Sequence, residues 1–445
     1  MQQTLIHIPV NPMNKRNHDQ GGPNINGISR REAIKLSAAA AAVASMPSWA
    51  RAKVLAGTNN IGLPLVPFTI TNNTGKEVFM HAFGTLAQGT GTENYFVSDF
   101  NGDCKKFPIN AGPTPYGLKL PGAVTNANFP MLQGDRIYFS IGKKLIVPST
   151  NINGNPLAII PNSTADPNFD TLWDFIEGTW APGPGGNTVF QWNTTQVNAF
   201  AIAFELDMKG GTPSLPKVPT EVILGFGPGG QRAKIFADIK AAGAPWSNLI
   251  IPDPTPGNPP LRVLQPYYSI HGIGPGSGFP TDQLFDYIKN TILPFYDLST
   301  TNRLEYAGLL PLLWKGHTSG GDFIFEPDNA ATKTTYTFET PTTGECYGNT
   351  IVGDPIDGNS GAIAAALGAS ILRSTLAFYP GFPVPQTDRN LYYTKPPFFE
   401  YAKIIHKHAL NNHAFCFGYD EVAQDAGETN QVWNPTSFAV TIRSV

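Results

Sequence analysis

Little of this chain is charged and less of it is cysteine. Asp, Glu, Lys and Arg make up only 14% of 445 residues, and the formal net charge is −3. No basic field is therefore available to hold nucleic acid or an anionic membrane, and a neutral partner is expected. The three cysteines, Cys104, Cys346 and Cys416, carry no C-x-x-C spacing. An odd count allows at most one bridge, and the spacing argues against a disulfide framework or a structural zinc site. Past the N-terminal region no run approaches the ~18 apolar residues of a membrane-spanning helix, so the mature chain is expected to be soluble. What is plentiful is glycine (45), proline (41) and aromatic side chains (11%), the composition of a loop-rich β protein. The length suits two domains of roughly 100–200 residues, or one large domain with an insertion.

The N-terminus is the most specific address in the sequence. Ser29-Arg30-Arg31-Glu32-Ala33-Ile34-Lys35 is followed by the mild apolar stretch LSAAAAAVASM, then Pro47 and Ala50-Arg51-Ala52. That order resembles a bacterial twin-arginine export signal with an A-x-A cleavage site, which predicts a mature chain starting after Ala52 and a periplasmic or secreted protein. Such export carries proteins already folded, in keeping with the scarcity of cysteine.

From residue 53 to 224 short β segments alternate with turns. PFTITNNTGKEVFMHAFG is predicted as a hairpin turning at Asn72-Asn73-Thr74-Gly75, and DRIYFSIGKKLIV as another turning at Gly142-Lys143-Lys144. WDFIEGTW and WNTTQVNAFAIAFELDM follow, separated by the turn-rich APGPGGN. From 225 to 410 the periodicity is mixed. QRAKIFADIKAAG, PTDQLFDYIKNTILPFY, SGAIAAALGASILRST and FFEYAKIIHKHAL have helical spacing, and RVLQPYY, DFIFEP and TYTFET resemble strands. From 411 to 445, HAFCFGYDEV and TSFAVTIRSV return to alternation. The expected architecture is mainly β with an α/β insertion, the last strands re-entering the first domain.

Several motifs have ordinary explanations. Gly225-Phe-Gly-Pro-Gly-Gly230 lacks G-x-G-x-x-G spacing and loses an N–H donor at Pro228, so it is predicted as a connector and not a phosphate cradle. Ser360 in Gly358-Asn-Ser360-Gly361 precedes an Ala-rich helix and is predicted as its N-cap. His406 and His408, two apart on a helix, point different ways and form no metal pair. The carboxylates of Trp173-Asp174-Phe175-Ile176-Glu177-Gly178-Thr179-Trp180 are more informative, because burial among rings lets an acid hold its proton near neutrality. On a strand without a bulge, Asp174 and Glu177 fall on opposite faces and do not form a working pair.

DRIYFSIGKKL, LWDFIEGTW and NTTQVNAF, with AIAAALGASILRSTLAF, YAKIIHKHAL and HAFCFGYDEV toward the C-terminus, resemble in order and spacing glycoside hydrolase family 64, bacterial β-1,3-glucanases on a thaumatin-like barrel. The resemblance runs from Leu63 to Val445. It implies a thaumatin-like β barrel or sandwich plus a mixed α/β domain, enclosing a wide groove for β-1,3-glucan such as laminarin or curdlan. A monomer with no metal and no cofactor is expected. The implied reaction is inverting hydrolysis, in which one carboxylic acid protonates the leaving oxygen and a carboxylate activates water. By motif the acid is Glu177. Thr179, Trp192 and Thr195 would line the sugar sites, and Asp420 and Glu421 would edge the cleft. The family places Asp after Gln-Val, but here Gln196-Val197 is followed by Asn198, whose amide cannot take a proton from water. Three explanations follow: another carboxylate among Asp174, Glu205, Asp207, Asp420 and Glu421 serves; the local correspondence is shifted; or the groove is kept as a non-catalytic glucan-binding site.

Overall fold

Alternating burial along the strands separates an inward apolar set from an outward polar one, and two such sheets close on each other. The computed structural model describes residues 58–86, 94–108, 112–147, 164–211, 218–270, 279–307, 313–328, 334–348, 350–376, 386, 388–420 and 430–445. The export-signal segment and Glu421 lie outside these residues. The first sheet orders its strands Glu221–Gly225, Phe204–Gly210, Pro435–Ile442, Leu65–Asn72 and Val124–Pro130. Its centre is closed by the chain's last strand, which runs parallel to Leu65–Asn72 and antiparallel to Phe204–Gly210. The second sheet runs Gln431–Trp433, Thr188–Asn193, Leu172–Pro182, Leu132–Ile141, Val78–Leu86, Asn94–Val97 and Cys104–Lys106, with Leu118–Lys119 also paired to Val78–Leu86. Between the sheets, Phe438 stacks on Phe68 at 4.8 Å and lies 5.1 Å from Phe190 and Trp192.

Two predicted hairpins are corrected by this pairing. Leu65–Asn72 and Val78–Leu86 lie in different sheets, so the Asn72–Gly75 turn crosses the sandwich. The strand ending at Ile141 does not fold back on itself, because Ile146–Val147 pairs with Thr114–Pro115. Leu172–Pro182 and Thr188–Asn193, in contrast, form an antiparallel hairpin across the turn-rich APGPGGN.

A second core gathers Phe200, Phe226, Ile235, Trp246, Trp314, Phe338, Leu367, Tyr401 and Phe417. Around it are a five-stranded sheet, Leu304–Ala307 to Gly353–Asp354, and the helices Gln231–Ala241, Gly358–Leu372 and Glu400–His408. The Gly358–Leu372 helix is capped by Asp357, which accepts from the Asn359 and Ser360 N–H groups, while Ser360 Oγ accepts from the Asp357 N–H. Ser360 is thus the third residue of a capping box, not the N-cap. HAFCFGYD forms no ladder strand; its backbone is instead taken up by isolated bonds, the Phe415 carbonyl by the Gln196 N–H and the Cys416 N–H by the Asp420 side chain.

The stretch WNTTQVNAFAIAFELDM, read as one strand, is three pieces: Thr188–Asn193, Ala199–Phe200 and Phe204–Gly210. The intervening residues leave the second sheet and pass to the first. Asp174, fully buried, fixes this passage by accepting from the N–H groups of Ala201 (2.7 Å), Ile202 (2.9 Å) and Phe175 (2.9 Å). Arg232 holds the Ala201–Ile202 peptide from the other side, Nε donating to the Ala201 carbonyl at 2.5 Å. Burial pushes the Asp174 carboxyl up to about 7, against the pull of its three N–H donors and of Arg262. A carboxyl that binds its proton more tightly folded than unfolded contributes stability that is full below about pH 4 and is lost as pH rises through about 7. The urea midpoint of the wild type is expected to fall across that window more steeply than that of Asp174→Asn, and equal slopes would rule out this linkage.

Candidate active site

The Leu172–Pro182 strand pairs without interruption on both sides, so its parity is strict. Asp174, Ile176, Gly178 and Trp180 share the face turned to the sandwich core, and Trp173, Phe175, Glu177 and Thr179 share the other. Gly178 is required by this packing, because a Cβ there would lie 2.3 Å from Trp192 Cδ2. The opposite face rests on an aromatic cushion of Phe83, Phe107, Tyr138, Trp173 and Phe175, with Tyr138 stacked on Phe175 at 5.0 Å.

Glu177 stands at the edge of that cushion. It is directly paired with Arg136 on one neighbouring strand and with Asn193 on the other. Arg136 Nε lies 3.6 Å from Glu177 Oε2, with both side chains mostly covered. The same guanidinium sits 5.0 Å over the Phe175 ring. Thr179, one step along the face, is partly exposed and its Oγ1 accepts from the Gly134 N–H at 3.3 Å.

Past Asn193 the chain bends, and residues 194–198 are seated by the second core. The Gln196 N–H donates to the Phe415 carbonyl at 2.7 Å, and Tyr401 Oη donates to the Gln196 carbonyl at 2.7 Å. Asn198, partly exposed, gives its carbonyl to the Gln265 N–H at 3.1 Å, and its Oδ1 accepts from Tyr268 Oη at 2.8 Å. Tyr268 is close enough to Arg136 to feel its charge, which opposes the larger effect of burial in raising the phenol above its ordinary value. Two separate contacts thus stand here, the Arg136–Glu177 ion pair and the Tyr268–Asn198 hydrogen bond, and the charge of Arg136 acts on the Tyr268 phenol. Arg136 and Tyr268 were not singled out in the sequence. Arg136 shows only as a charge alternating with Tyr138 in DRIYF, and Tyr268 has no local signature because its partner is 70 residues away.

Other expected site residues lie elsewhere. Trp192 is fully buried, 5.3 Å from Phe129 and 5.1 Å from Phe438, so it fills the sandwich and lines no sugar site. Its parity places it on the inner face with Gly178. Thr195 is buried as well, in the seated segment. Asp420 does not edge a cleft: it is fully buried, with Oδ1 on Arg373 (3.0 Å) and Oδ2 on His406 (2.8 Å) and on the Cys416 N–H (2.9 Å). Burial alone would raise its carboxyl, but His406, Arg373 and the Cys416 N–H together hold it below the ordinary value.

His406, Cys416 and Asp420 bring possible metal ligands within 4.8 Å of one another, but a cation there would face the Arg373 guanidinium already paired with Asp420. His408 turns away to Asp238. The three cysteines are free and buried.

The candidate substitute bases fare no better among the described residues. Asp174 faces the core. Glu205 and Asp207 alternate with the buried Phe204, Leu206 and Met208, on the outer face of the other sheet, where Arg443 and Lys209 accompany them. Asp135, next to Arg136, points inward against Gly84. Position 198 thus carries an amide with none of these carboxylates beside Glu177.

The family model described as β-1,3-glucanase, glycoside hydrolase family 64, matches residues 64–442. No curated protein matches the chain. Among solved structures, the chain is similar to a laminaripentaose-producing β-1,3-glucanase in complex with laminaritetraose, at 24% identity and TM-score 0.70, covering 85% of this chain and 99% of that one. It is also similar to a β-1,3-glucanase domain from Clostridium beijerinckii, at 20% identity and TM-score 0.64, covering 85% and 98%. A laminaripentaose-producing enzyme from Paenibacillus barengoltzii matches at 16% identity and TM-score 0.52, covering 90% and 78%. At these identities the structural likeness establishes the fold.

Asp420→Ala should strip a buried arginine of its counter-charge and lower the unfolding free energy by about 3–5 kcal/mol. Chemical denaturation of the two proteins side by side measures the loss, and equal unfolding free energies would rule out a structural role for the Asp420 carboxylate.

Proposed function

The chain belongs to the β-1,3-glucanases of glycoside hydrolase family 64, and from this premise we propose that it hydrolyses a laminarin- or curdlan-type β-1,3-glucan by inversion, with Glu177 as general acid and Asn198 beside the attacking water. The observation that supports the reading is that Arg136, paired with Glu177, also acts through its charge on Tyr268, the residue hydrogen-bonded to Asn198, so that two residues 21 positions apart in sequence share one electrostatic neighbourhood. In a wide groove at that seam, the Glu177 carboxyl would protonate the glycosidic oxygen. Water on the far side of the sugar ring would rest against the position-198 side chain. Thr179, on the same strand face as Glu177, would contribute to a sugar site.

An amide can orient that water but cannot accept its proton, so the proton would leave to solvent and turnover would lack general-base assistance of roughly 10²- to 10⁴-fold. That one chemical fact favours a second reading, a glucan-binding protein that keeps the groove and has lost turnover. Laminarin hydrolysis by wild type, Glu177→Gln and Asn198→Asp separates the two. Slow release of oligosaccharide by wild type, its loss in Glu177→Gln and a gain of at least about 10²-fold in Asn198→Asp are expected. Wild type that binds laminarin without cleaving it supports the second reading. Unchanged activity in Glu177→Gln would end the acid assignment.

The twin arginines and the A-x-A site support export of the mature protein to the periplasm or beyond, and the reading is of a monomer acting there on polysaccharide. Replacing Arg30 and Arg31 by Lys should leave uncleaved precursor in the cytoplasm of an expressing bacterium. Normal processing of that variant would remove the assignment.

A further inference from the structure

We propose that Tyr268 is a positioning residue for the side chain at 198, fixing which polar atom faces outward and leaving a seat that receives a carboxylate as readily as the amide now in it. The inference rests on the reading of position 198 as the flank of the attacking water.

Two bonds tie the Tyr268 segment to Asn198. Gln265, fully buried, donates its N–H to the Asn198 carbonyl at 3.1 Å, and Tyr268 Oη donates to Asn198 Oδ1 at 2.8 Å. Gln265 is itself fixed at both ends of its amide, Nε2 donating to the Tyr347 carbonyl (2.8 Å) and Oε1 accepting from the Tyr267 N–H (2.6 Å). Main chain and side chain at 198 are thereby registered against the same turn. With Oδ1 turned back to the phenol, Nδ2 is the atom left over, and it makes no hydrogen bond to another described residue. The amide therefore presents a donor outward, able to hold a water or sugar oxygen and unable to deprotonate it.

The phenol is indifferent to this change of residue. A carboxylate at 198 would accept the same Tyr268 O–H on one oxygen and turn its second oxygen outward, where a base needs it. A hydrogen bond donated to the charged form stabilises that form, so Tyr268 should lower the pKa of any carboxyl placed there. The charged and titratable groups around the seat are Arg136 and Glu177 from the sandwich strands, Tyr267 beside Tyr268, and Tyr401 from the Glu400–His408 helix. Because all of these remain in place when only the Tyr268 oxygen is removed, the Tyr268→Phe comparison isolates the phenol.

The test is a carbon-13 NMR titration of the carboxyl introduced by Asn198→Asp, with and without Tyr268→Phe. The carboxyl is expected to titrate roughly one pH unit higher in the double variant, and in laminarin hydrolysis the double variant should lose kcat with KM unchanged. Coincident titration curves, or a change confined to KM, would overturn the proposal and reduce Tyr268 to packing. Should the double variant not fold, Asn198→Asp alone decides: its carboxyl must titrate below the ordinary value of about 3.9, and titration at or above it overturns the proposal. The titration needs no turnover, so full activity in Glu177→Gln would sink the catalytic reading while leaving the seat itself measured.

Discussion

The peptide at Ala201 is the fixed point of this molecule. In the peptide that joins Ala201 to Ile202, the Ile202 N–H is taken by Asp174 and the Ala201 carbonyl by Arg232, two buried side chains from different layers. Asp174 belongs to the strand that carries Glu177; Arg232 belongs to the helix Gln231–Ala241 that opens the second core. A chain passing between two sheets leaves its backbone groups without ladder partners, and a buried unpaired peptide costs free energy of the order of a lost hydrogen bond. Placing a charged group on each side of one peptide resolves that problem and joins the sandwich to the second core. Asn198 is three residues upstream, so its location is a consequence of this clamp.

The clamp also explains why the two carboxylates of WDFIEGTW have such different surroundings. On an uninterrupted strand they must diverge, and the inward one is consumed in holding the passage while the outward one stands beside Arg136. Aromatic neighbours in the motif serve both sides: Trp180 fills the sandwich together with Trp192 of the next strand, and Trp173 and Phe175 build the platform under Glu177.

Periodicity made a good part of the fold legible. The helices Gln231–Ala241, Gly358–Leu372 and Glu400–His408 and the final strand stand where apolar spacing put them, because each buries one face against one layer. Pairing was less legible. Asn72-Asn73-Thr74-Gly75 has hairpin chemistry, but a turn only reverses direction, and the inward apolar sets of its flanking strands are better satisfied facing each other from two sheets than side by side in one. Of the candidate site, the parity that separates Glu177 from Asp174 was readable locally. Arg136 was hidden by its ordinary alternation, and Tyr268 by distance.

The failures at Trp192 and Asp420 share one physical origin. Both roles were carried over by motif from the family resemblance, Trp192 with the strand-face residues Thr179 and Thr195 and Asp420 with the acidic pair, and a motif match alone does not fix which way a side chain turns. Trp192 pairs across from Gly178, the residue whose missing Cβ makes room for an indole, so the glycine in the motif already specified where the tryptophan must go. Asp420 lies in a segment without ladder bonds, and a carboxylate there takes the nearby Cys416 N–H and joins the buried Arg373 and His406. Asn198 is placed by the same logic in reverse. Its main chain and side chain are both satisfied by the Gln265–Tyr268 turn through atoms that Asn and Asp have in common, a carbonyl and a side-chain oxygen. Exchange of carboxylate for amide at this position therefore leaves every bond of the seat intact and alters only the atom facing outward, which separates the chemistry of position 198 from the folding of the segment that carries it.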